Sequence, residues 1–169
     1  MGRDKAFLEI DGQPLWRQQL EKLRQLSPEQ IMLSGPPRNE WSGFEIISDE
    51  VENAGPLGGI AAALGKCTTP HLVVLAVDLP MMTSNFLRSL LELCGGHWGA
   101  VPRNADGFEP LAAVYPAACG LPANAALRNG DFSLQSFARK GTNEKWLVER
   151  KILESEVPLF TNLNTPADL

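Results

Sequence analysis

The stretch "LVVLAVDLP", residues 72–80, decides the fold class of this chain. Its first six residues are all apolar and do not alternate with polar ones. This pattern is typical of a strand that is buried on both faces of a parallel sheet. Asp78 follows at once, and Pro80 cannot continue the strand because it lacks a backbone N–H. We therefore predict an α/β protein in which this strand carries a carboxylate to the edge of the sheet.

The rest of the chain alternates between helical and extended patterns. Helices are predicted from Pro14 to the stop at Ser27-Pro28 and at 57–64, 86–94 and 133–140, the last with Ser133 at its N-cap and Gly141 just past its end. Further strands are predicted at 31–33, 44–47, 100–102, 108–115, 145–149 and 157–162. This order predicts one α/β domain over residues 1–169, with a mostly parallel sheet, helices on both faces and an antiparallel excursion late in the chain.

The composition narrows the class of protein and its partners. The 169 residues are 44% hydrophobic and 21% charged, which is ordinary for a globular domain. A formal net charge of -5 argues against a nucleic-acid-binding surface. The longest purely apolar run has six residues, against the roughly 20 that a membrane span needs. The three cysteines lie far apart and form no C-x-x-C motif, so we expect reduced thiols rather than disulfides or a zinc site. We expect a cytoplasmic protein that binds neither nucleic acid nor membrane.

Asp78 is the strongest candidate for chemistry. In open α/β sheets, ligands bind beyond the carboxyl ends of the strands. A carboxylate at that edge can hold Mg²⁺, which takes one or two carboxylates together with substrate phosphates. The alternative is that Asp78 caps a turn or the next helix, a common role for aspartate.

Two further features favour a phosphate ligand. Lys5 can pair with a polyphosphate as a point charge, although it can equally be a surface lysine beside Asp4. The turn at 55–59 is rich in glycine and enters a helix, which suits anion binding at a helix start. The alternative for this turn is close packing of the helix on its neighbours. Residues 59–66 do not form a P-loop, because Ile60 and Cys67 break the required spacing.

Asn162 and Asn164 alternate just beyond the last predicted strand. Two amides on one side of the chain can hydrogen-bond a phosphate or a metal-bound water. They can also be ordinary turn residues, and the sequence alone does not decide between these interpretations.

An ordered set of motifs runs along the whole chain. They are Met1-Gly2-x-Asp4-Lys5-Ala6, Gly12-x-Pro14-Leu15, Asp49, Gly55-Pro56-Leu57-Gly58-Gly59, Asp78-x-Pro80, Glu109-Pro110-Leu111-x-Ala113-x-Tyr115 and Asn162-Leu163-Asn164-Thr165-Pro166. Each motif is weak alone, whereas the ordered set is fairly specific. Taken together, these motifs resemble molybdenum cofactor guanylyltransferases from the first residue to the last. The family has a Rossmann-like nucleotidyltransferase fold, and related cytidylyltransferases share its plan.

The resemblance implies a reaction and a role for each matching residue. GMP would pass from GTP to molybdopterin phosphate, with Mg²⁺ present and pyrophosphate released. Lys5 would neutralise the GTP phosphates, Asp78 would hold Mg²⁺, and Asp49 would contact the nucleotide. The turn that contains Gly55 and Gly58 would border the nucleotide. Asn162 and Asn164 would line the pterin or metal side, and cofactor-synthesis proteins and recipient molybdoenzymes would be further partners.

The resemblance also implies something about the front of the chain. In the family, an apolar strand and an L-A-G-G loop precede the motif that begins here at Met1. We expect that the natural protein is longer and that its first strand is internal to the sheet. Two other interpretations stay open. The chain can be a cytidylyltransferase or sugar-phosphate nucleotidyltransferase of the same fold, or a non-catalytic fragment that binds a cofactor or a partner protein.

Overall fold

The computed structural model describes residues 5–48 and 54–163. Short 3-10 helices lie at Lys5–Phe7, Asn39–Trp41, Ala117–Cys119 and Glu154–Phe160. The α-helices are α1 (Leu15–Arg24), α2 (Gly55–Lys66), α3 (Ser84–Leu91), α4 (Gly120–Arg128) and α5 (Leu134–Asn143). The strands are β1 (Glu9–Ile10), β2 (Gln13–Pro14), β3 (Met32–Ser34), β4 (Glu45–Ile47), β5 (His71–Leu75), β6 (Gly99–Arg103), β7 (Ala112–Pro116) and β8 (Leu147–Lys151).

The largest sheet has four strands in the order β5-β7-β6-β8. Strand β7 is antiparallel to both of its neighbours, whereas β6 and β8 are parallel. Consequently β5, β6 and β8 run in one direction and β7 runs against them. Three of these four strands run in one direction and a late strand, β7, runs in the other, as predicted. The sheet itself is mixed, because two of its three ladders are antiparallel.

Both faces of this sheet are covered. Leu72 and Val74 pack on one face with residues of α2, α4 and α5. Val73 and Leu75 pack on the other face with α3 and the end of α1. Burying one such side chain contributes roughly 1.5–3 kcal/mol, so the two cores together hold the sheet between its helices. The predicted α/β architecture with helices on both faces is confirmed.

A second, smaller sheet pairs β3 with β4 in parallel. The end of α2 lies beside the start of this sheet, because Lys66 Nζ is 3.0 Å from Glu45 Oε1. Helix α2 therefore runs against β4, and residues 67–70 then lead into β5. Strands β3, β4 and β5 consequently point the same way, and their carboxyl ends share one edge of the fold.

Two sequence predictions about the late part of the chain are wrong. The predicted strand at 157–162 is mostly a 3-10 helix, Glu154–Phe160. Pro158 removes a donor that a ladder would need, and Glu156 is held by two hydrogen bonds from Arg150. Gly141 does not follow α5 but lies inside it, because the helix continues to Asn143.

One further local prediction is confirmed, one strand is shorter than predicted, and one helix was not predicted. Ser133 caps α5, since its hydroxyl accepts a hydrogen bond from the Ser136 N–H, as predicted. Strand β5 ends at Leu75, two residues before the end of the apolar run. Helix α4 was not predicted, because Gly120 and Pro122 near its start are typical of a loop.

Candidate active site

Asp78 lies in the loop that follows β5, at the edge formed by the carboxyl ends of the parallel strands. Its backbone is fixed from both sides. The Asp78 carbonyl accepts a hydrogen bond from the Leu163 N–H over 3.0 Å. Gln19 Nε2 donates to the Val77 carbonyl over 3.3 Å and to the Leu79 carbonyl over 2.7 Å. The carboxylate is thus carried on a braced loop rather than on the strand itself.

Lys5 reaches the same place from the front of the chain. It begins the 3-10 helix Lys5–Phe7, and its Nζ lies 3.5 Å from Asp78 Oδ2. The side chains are 40% and 27% exposed, so water screens the pair and it contributes at most about 1 kcal/mol. The two groups can therefore separate at little cost, the carboxylate toward a cation and the ammonium toward an anion.

The predicted glycine turn begins α2 at this edge of the fold. Gly55 is exposed, has a φ of +60°, and no described atom lies within 4 Å of the position that a Cβ would take. Pro56 occupies the first turn of α2, where its missing N–H costs nothing. Gly58 is buried in the same turn, which agrees with the close-packing interpretation. Nucleotide contacts of Gly55 and Gly58 stay predictions.

The other candidates divide between described and undescribed residues. Asn162 is exposed and directly precedes Leu163, whose N–H binds the Asp78 carbonyl. Its backbone therefore lies beside the Asp78 loop, and its contact with a pterin or a metal stays a prediction. Asp49 and Asn164 lie outside the described residues.

Two residues that support the site were missed by the sequence analysis. Gln19 is buried on α1 and braces the loop around Asp78. One turn further along α1, Lys22 Nζ donates to the Pro80 carbonyl over 2.5 Å, and burial lowers its pKa. Both contacts join residues about 60 positions apart along the chain. The sequence gives one sign of these contacts: Gln19 and Lys22, which are polar, lie on the same face of α1 as apolar residues.

A half-buried carboxyl group lies near the start of β7, which pairs with the end of β5. Asn104 Nδ2 donates to Glu109 Oε1 over 3.2 Å. Burial raises the pKa of Glu109, and the Asn104 hydrogen bond offsets part of that effect. Glu109 belongs to the shared motif at 109–115, but no role for it was predicted.

The donor set at this edge fits a magnesium ion that is held mainly by its substrate. Among residues 5–48 and 54–163, no group of three or more His, Cys, Asp or Glu side chains could enclose a metal ion. Mg²⁺ commonly binds through one or two carboxylates and substrate phosphates. Asp78, partly exposed and beside a lysine, is a carboxylate of this kind. In the same described residues, no helix has the length and apolar character to cross a bilayer.

In this site an acidic group, a basic group and the N-terminus of a helix meet at the carboxyl ends of parallel strands. This arrangement is typical of α/β proteins that bind phosphorylated nucleotides. Comparison with known proteins identifies the class. The family model described as "MobA-like NTP transferase domain" matches residues 1–145. The chain belongs to this family of nucleotidyltransferases, and the predicted resemblance is confirmed.

Two sequence relatives agree with this assignment, and a solved structure shares the fold. A probable molybdenum cofactor guanylyltransferase of Opitutus terrae is 35% identical over 99% of this chain and 86% of its own length. A second, from Pelotomaculum thermopropionicum, is 31% identical over 100% of this chain and 83% of its length. The crystal structure of molybdopterin-guanine dinucleotide biosynthesis protein A from Archaeoglobus fulgidus has a TM-score of 0.72 at 24% identity, covering 97% of this chain and 86% of that one.

The fold is also shared with a different nucleotidyltransferase. The crystal structure of 2-C-methyl-D-erythritol 4-phosphate cytidylyltransferase from Thermus thermophilus has a TM-score of 0.70 at 16% identity, covering 97% of this chain and 89% of that one. At such identity the match concerns the fold alone. The Rossmann-like nucleotidyltransferase fold that the resemblance implied is confirmed.

Proposed function

We propose that this protein transfers GMP from GTP to molybdopterin, with Mg²⁺ as the metal. An oxygen of the molybdopterin phosphate forms a bond to the α-phosphorus of GTP. The bond between that phosphorus and the oxygen that bridges to the β-phosphate breaks, and pyrophosphate leaves. The products are the guanine dinucleotide form of the cofactor and pyrophosphate.

The observation that carries the proposal is the contact between Lys5 and Asp78. Opposite charges from distant parts of the sequence meet at the edge where α/β proteins bind nucleotides. The pair is loose and partly exposed, so a triphosphate and its cation can replace the contact. The names of the relatives support GTP and molybdopterin as the substrates.

Each side chain has a role that follows from its charge and position. Asp78 would hold Mg²⁺, which when bound neutralises charge on the phosphates and on the leaving pyrophosphate. Lys5 would stabilise charge on the same oxygens from the other side. Gly55 leaves open space at the start of α2 for the nucleotide. Asn162 would orient the pterin side, and Asp49 and Asn164 would contribute as the family resemblance implies.

Asp78→Asn tests the metal role directly. It removes one negative charge while keeping the shape of the side chain, so we expect pyrophosphate release to fall at least about 100-fold with little change in Tm. Glu92→Gln is the matched control, because Glu92 is an exposed carboxylate that follows α3 on the way back to β6. Normal turnover in Asp78→Asn would remove Asp78 from the metal site.

The choice of nucleotide separates the main proposal from its runner-up. The shared fold with a cytidylyltransferase makes CTP the alternative donor. Pyrophosphate release is measured with molybdopterin, Mg²⁺ and either GTP or CTP. Preference for GTP supports guanylyl transfer, and preference for CTP overturns it in favour of the cytidylyl reaction. Binding of molybdopterin without turnover of either nucleotide would favour a non-catalytic role.

We also propose a cellular setting. The reaction belongs in the cytoplasm, where the three free thiols Cys67, Cys94 and Cys119 stay reduced. Other cofactor-synthesis proteins and the recipient molybdoenzymes would be its protein partners. Co-purification from the cytosolic fraction of the native host tests this setting.

A further inference from the structure

The half-buried Glu109 lies at the same edge of the fold as Asp78, but next to another strand. Its N–H binds the Pro102 carbonyl over 2.8 Å, so it lies beside the end of β6. Strands β5 and β6 run in the same direction, with β7 between them. Since neighbouring strands are about 4.8 Å apart, the ends of β5 and β6 are separated by roughly 10 Å. A ligand bound at Asp78 can therefore extend as far as Glu109.

Lys5 lies on the opposite side of Asp78. Strand β5 is the last described strand of the large sheet, and Val77, which follows it, packs with residues of the small sheet. Ala6, which follows Lys5, belongs to the same apolar cluster. Lys5 therefore approaches Asp78 from the small sheet, whereas Glu109 lies on the large one.

Hydrogen bonds fix the backbone on both sides of Glu109. Gln135 Oε1 accepts from the Phe108 N–H over 3.0 Å, and Gln135 Nε2 donates to the Phe108 carbonyl over 2.7 Å. The Glu109 carbonyl accepts from the Ala112 N–H over 3.2 Å. The side chain of Glu109 therefore starts from a fixed position, as a residue that binds a ligand selectively requires.

The carboxylate of Glu109 has one neutral partner and open acceptor positions. Asn104 Nδ2 donates to Glu109 Oε1 over 3.2 Å, and Asn104 Oδ1 accepts from the N–H groups of Asp106 and Gly107. The turn thus orients Asn104 and directs its amide group at Glu109. A carboxylate can accept about four hydrogen bonds, and among residues 5–48 and 54–163 Asn104 supplies the one that Glu109 receives. A half-buried charge with so few partners is unfavourable until a ligand adds donors.

The surroundings of Glu109 favour neutral N–H donors over a metal ion. The Asn104 amide turns its positive end toward the carboxylate, and no three His, Cys, Asp or Glu side chains of the described residues enclose a metal. Two adjacent N–H groups on a flat ring match the two oxygens of a carboxylate, as the guanidinium of arginine does. An aminopyrimidinone ring has such an edge, formed by its exocyclic amino group and the neighbouring ring N–H. Pterins and guanine both contain this ring.

We propose that Glu109 binds the pterin ring of the acceptor substrate by accepting hydrogen bonds from its exocyclic amino group and the adjacent ring N–H. This inference rests on the proposed function, which makes a pterin phosphate the acceptor. Guanine has the same edge, so position decides between the two rings. In an in-line displacement the attacking and leaving oxygens lie on opposite sides of the phosphorus. Pyrophosphate leaves on the side of Lys5, so the acceptor enters from the side of Glu109.

The test compares ligands that differ only by the exocyclic amino group. The phosphate ester of hydroxymethylpterin, and its analogue without that amino group, are titrated into the full chain by calorimetry with Mg²⁺ and without nucleotide. We expect the amino compound to bind about 10- to 100-fold more tightly, because the analogue loses a hydrogen bond to a charged acceptor. GTP and inosine triphosphate, which differ by the same group, form the second pair of ligands.

Glu109→Gln removes the charged acceptor and keeps the shape of the side chain. Asn104 still donates to the side-chain carbonyl, so the introduced amide N–H groups face the amino group of the ligand, donor against donor. We expect the amino pterin to lose about 10- to 100-fold in affinity and the preference between the two pterin compounds to disappear. Glu92→Gln, an exposed change that follows α3, should preserve the preference. Equal losses for both pterin compounds, as a purely structural role would give, or no loss at all, would overturn the proposal.

Steady-state kinetics separate this inference from the proposed function. If both hold, Glu109→Gln raises KM for molybdopterin at least about tenfold and leaves KM for GTP unchanged. Pyrophosphate release with an unchanged KM for molybdopterin would overturn the role of Glu109 and leave the transferase intact. Loss of the pterin preference in a protein that turns over neither GTP nor CTP would support the role of Glu109 and overturn the transferase. A fall in the preference for GTP over inosine triphosphate, with the pterin preference intact, would overturn the proposal in favour of guanine recognition.

Discussion

Lys5 and Asp78 are 73 positions apart in the sequence, yet their charged groups lie 3.5 Å apart at the carboxyl edge of β5. The contact is too exposed to be a major source of stability. Under the proposed function, the contact places opposite charges where a metal-bound triphosphate can use both of them. We therefore expect the lysine to affect catalysis far more than folding.

Lys5→Met tests this separation of roles. We expect kcat/KM for GTP to fall roughly 100- to 1000-fold, as when one stabilising donor is removed from a transition state, while Tm changes by less than about 3 °C. Lys140→Met is the control, because Lys140 forms an exposed ion pair with Glu144 at the end of α5. A loss of activity that follows a loss of folded protein in thermal melts would contradict the catalytic role.

Gln19 connects stability with the position of Asp78. Gln19→Leu leaves the carbonyls of Val77 and Leu79 without their donor, so we expect a loss of about 1–3 kcal/mol in the free energy of unfolding and a lower kcat for the remaining folded enzyme. Denaturant unfolding and steady-state kinetics on the same samples measure the two effects.

The neighbouring residue offers a matched control for Gln19. Gln18 Nε2 also donates to two carbonyls, those of Ile10 and Gln13, but these belong to the β1–β2 hairpin. Gln18→Leu should destabilise the protein without changing the kcat of the folded fraction. Equal changes of kcat in the two variants would show that the bracing of the Asp78 loop is not specific.

Several features of the fold and of the site could be predicted from the sequence, because local patterns encode them. The apolar run before Asp78, the glycines that start α2 and the Ser133 cap depend on residues close to one another in the chain. Gln19 and Lys22 could not be predicted, since each binds a carbonyl about 60 positions away. The segment at 157–162 has the composition of a strand, but the Arg150–Glu156 contact and Pro158 favour a 3-10 helix.

The pair of Arg150 and Glu156 predicts a change of stability in acid. Hydrogen bonds from Arg150 lower the pKa of Glu156 in the folded protein, and Arg150 also lies over the Phe86 ring. Between the folded and unfolded pKa values the unfolded state binds more protons. The stabilisation is therefore complete above the unfolded pKa of about 4.3 and is lost as the pH falls through the folded pKa.

Glu156→Gln should remove this dependence. We expect the variant to be less stable than the parent by about 1–3 kcal/mol at pH 7, since hydrogen bonds to a charged group are lost. The difference should shrink as the pH falls from 5 toward 2. Urea unfolding at four or five pH values measures it, and a constant difference over that range would refute the assignment.

Glu109 predicts the opposite dependence, because burial raises its pKa in the folded protein. Between the unfolded pKa, about 4.3, and the higher folded value, the folded state binds more protons, so Glu109 costs more stability as the pH rises.

Glu109→Gln keeps a partner for Asn104 and removes the buried charge. We expect its Tm to exceed that of the parent at pH 7 and to equal it at pH 4. Glu92→Gln, an exposed change far from this turn in the sequence, controls for the loss of one negative charge. A Tm advantage that is the same at both pH values would show that packing, rather than the charge, limits stability at this position.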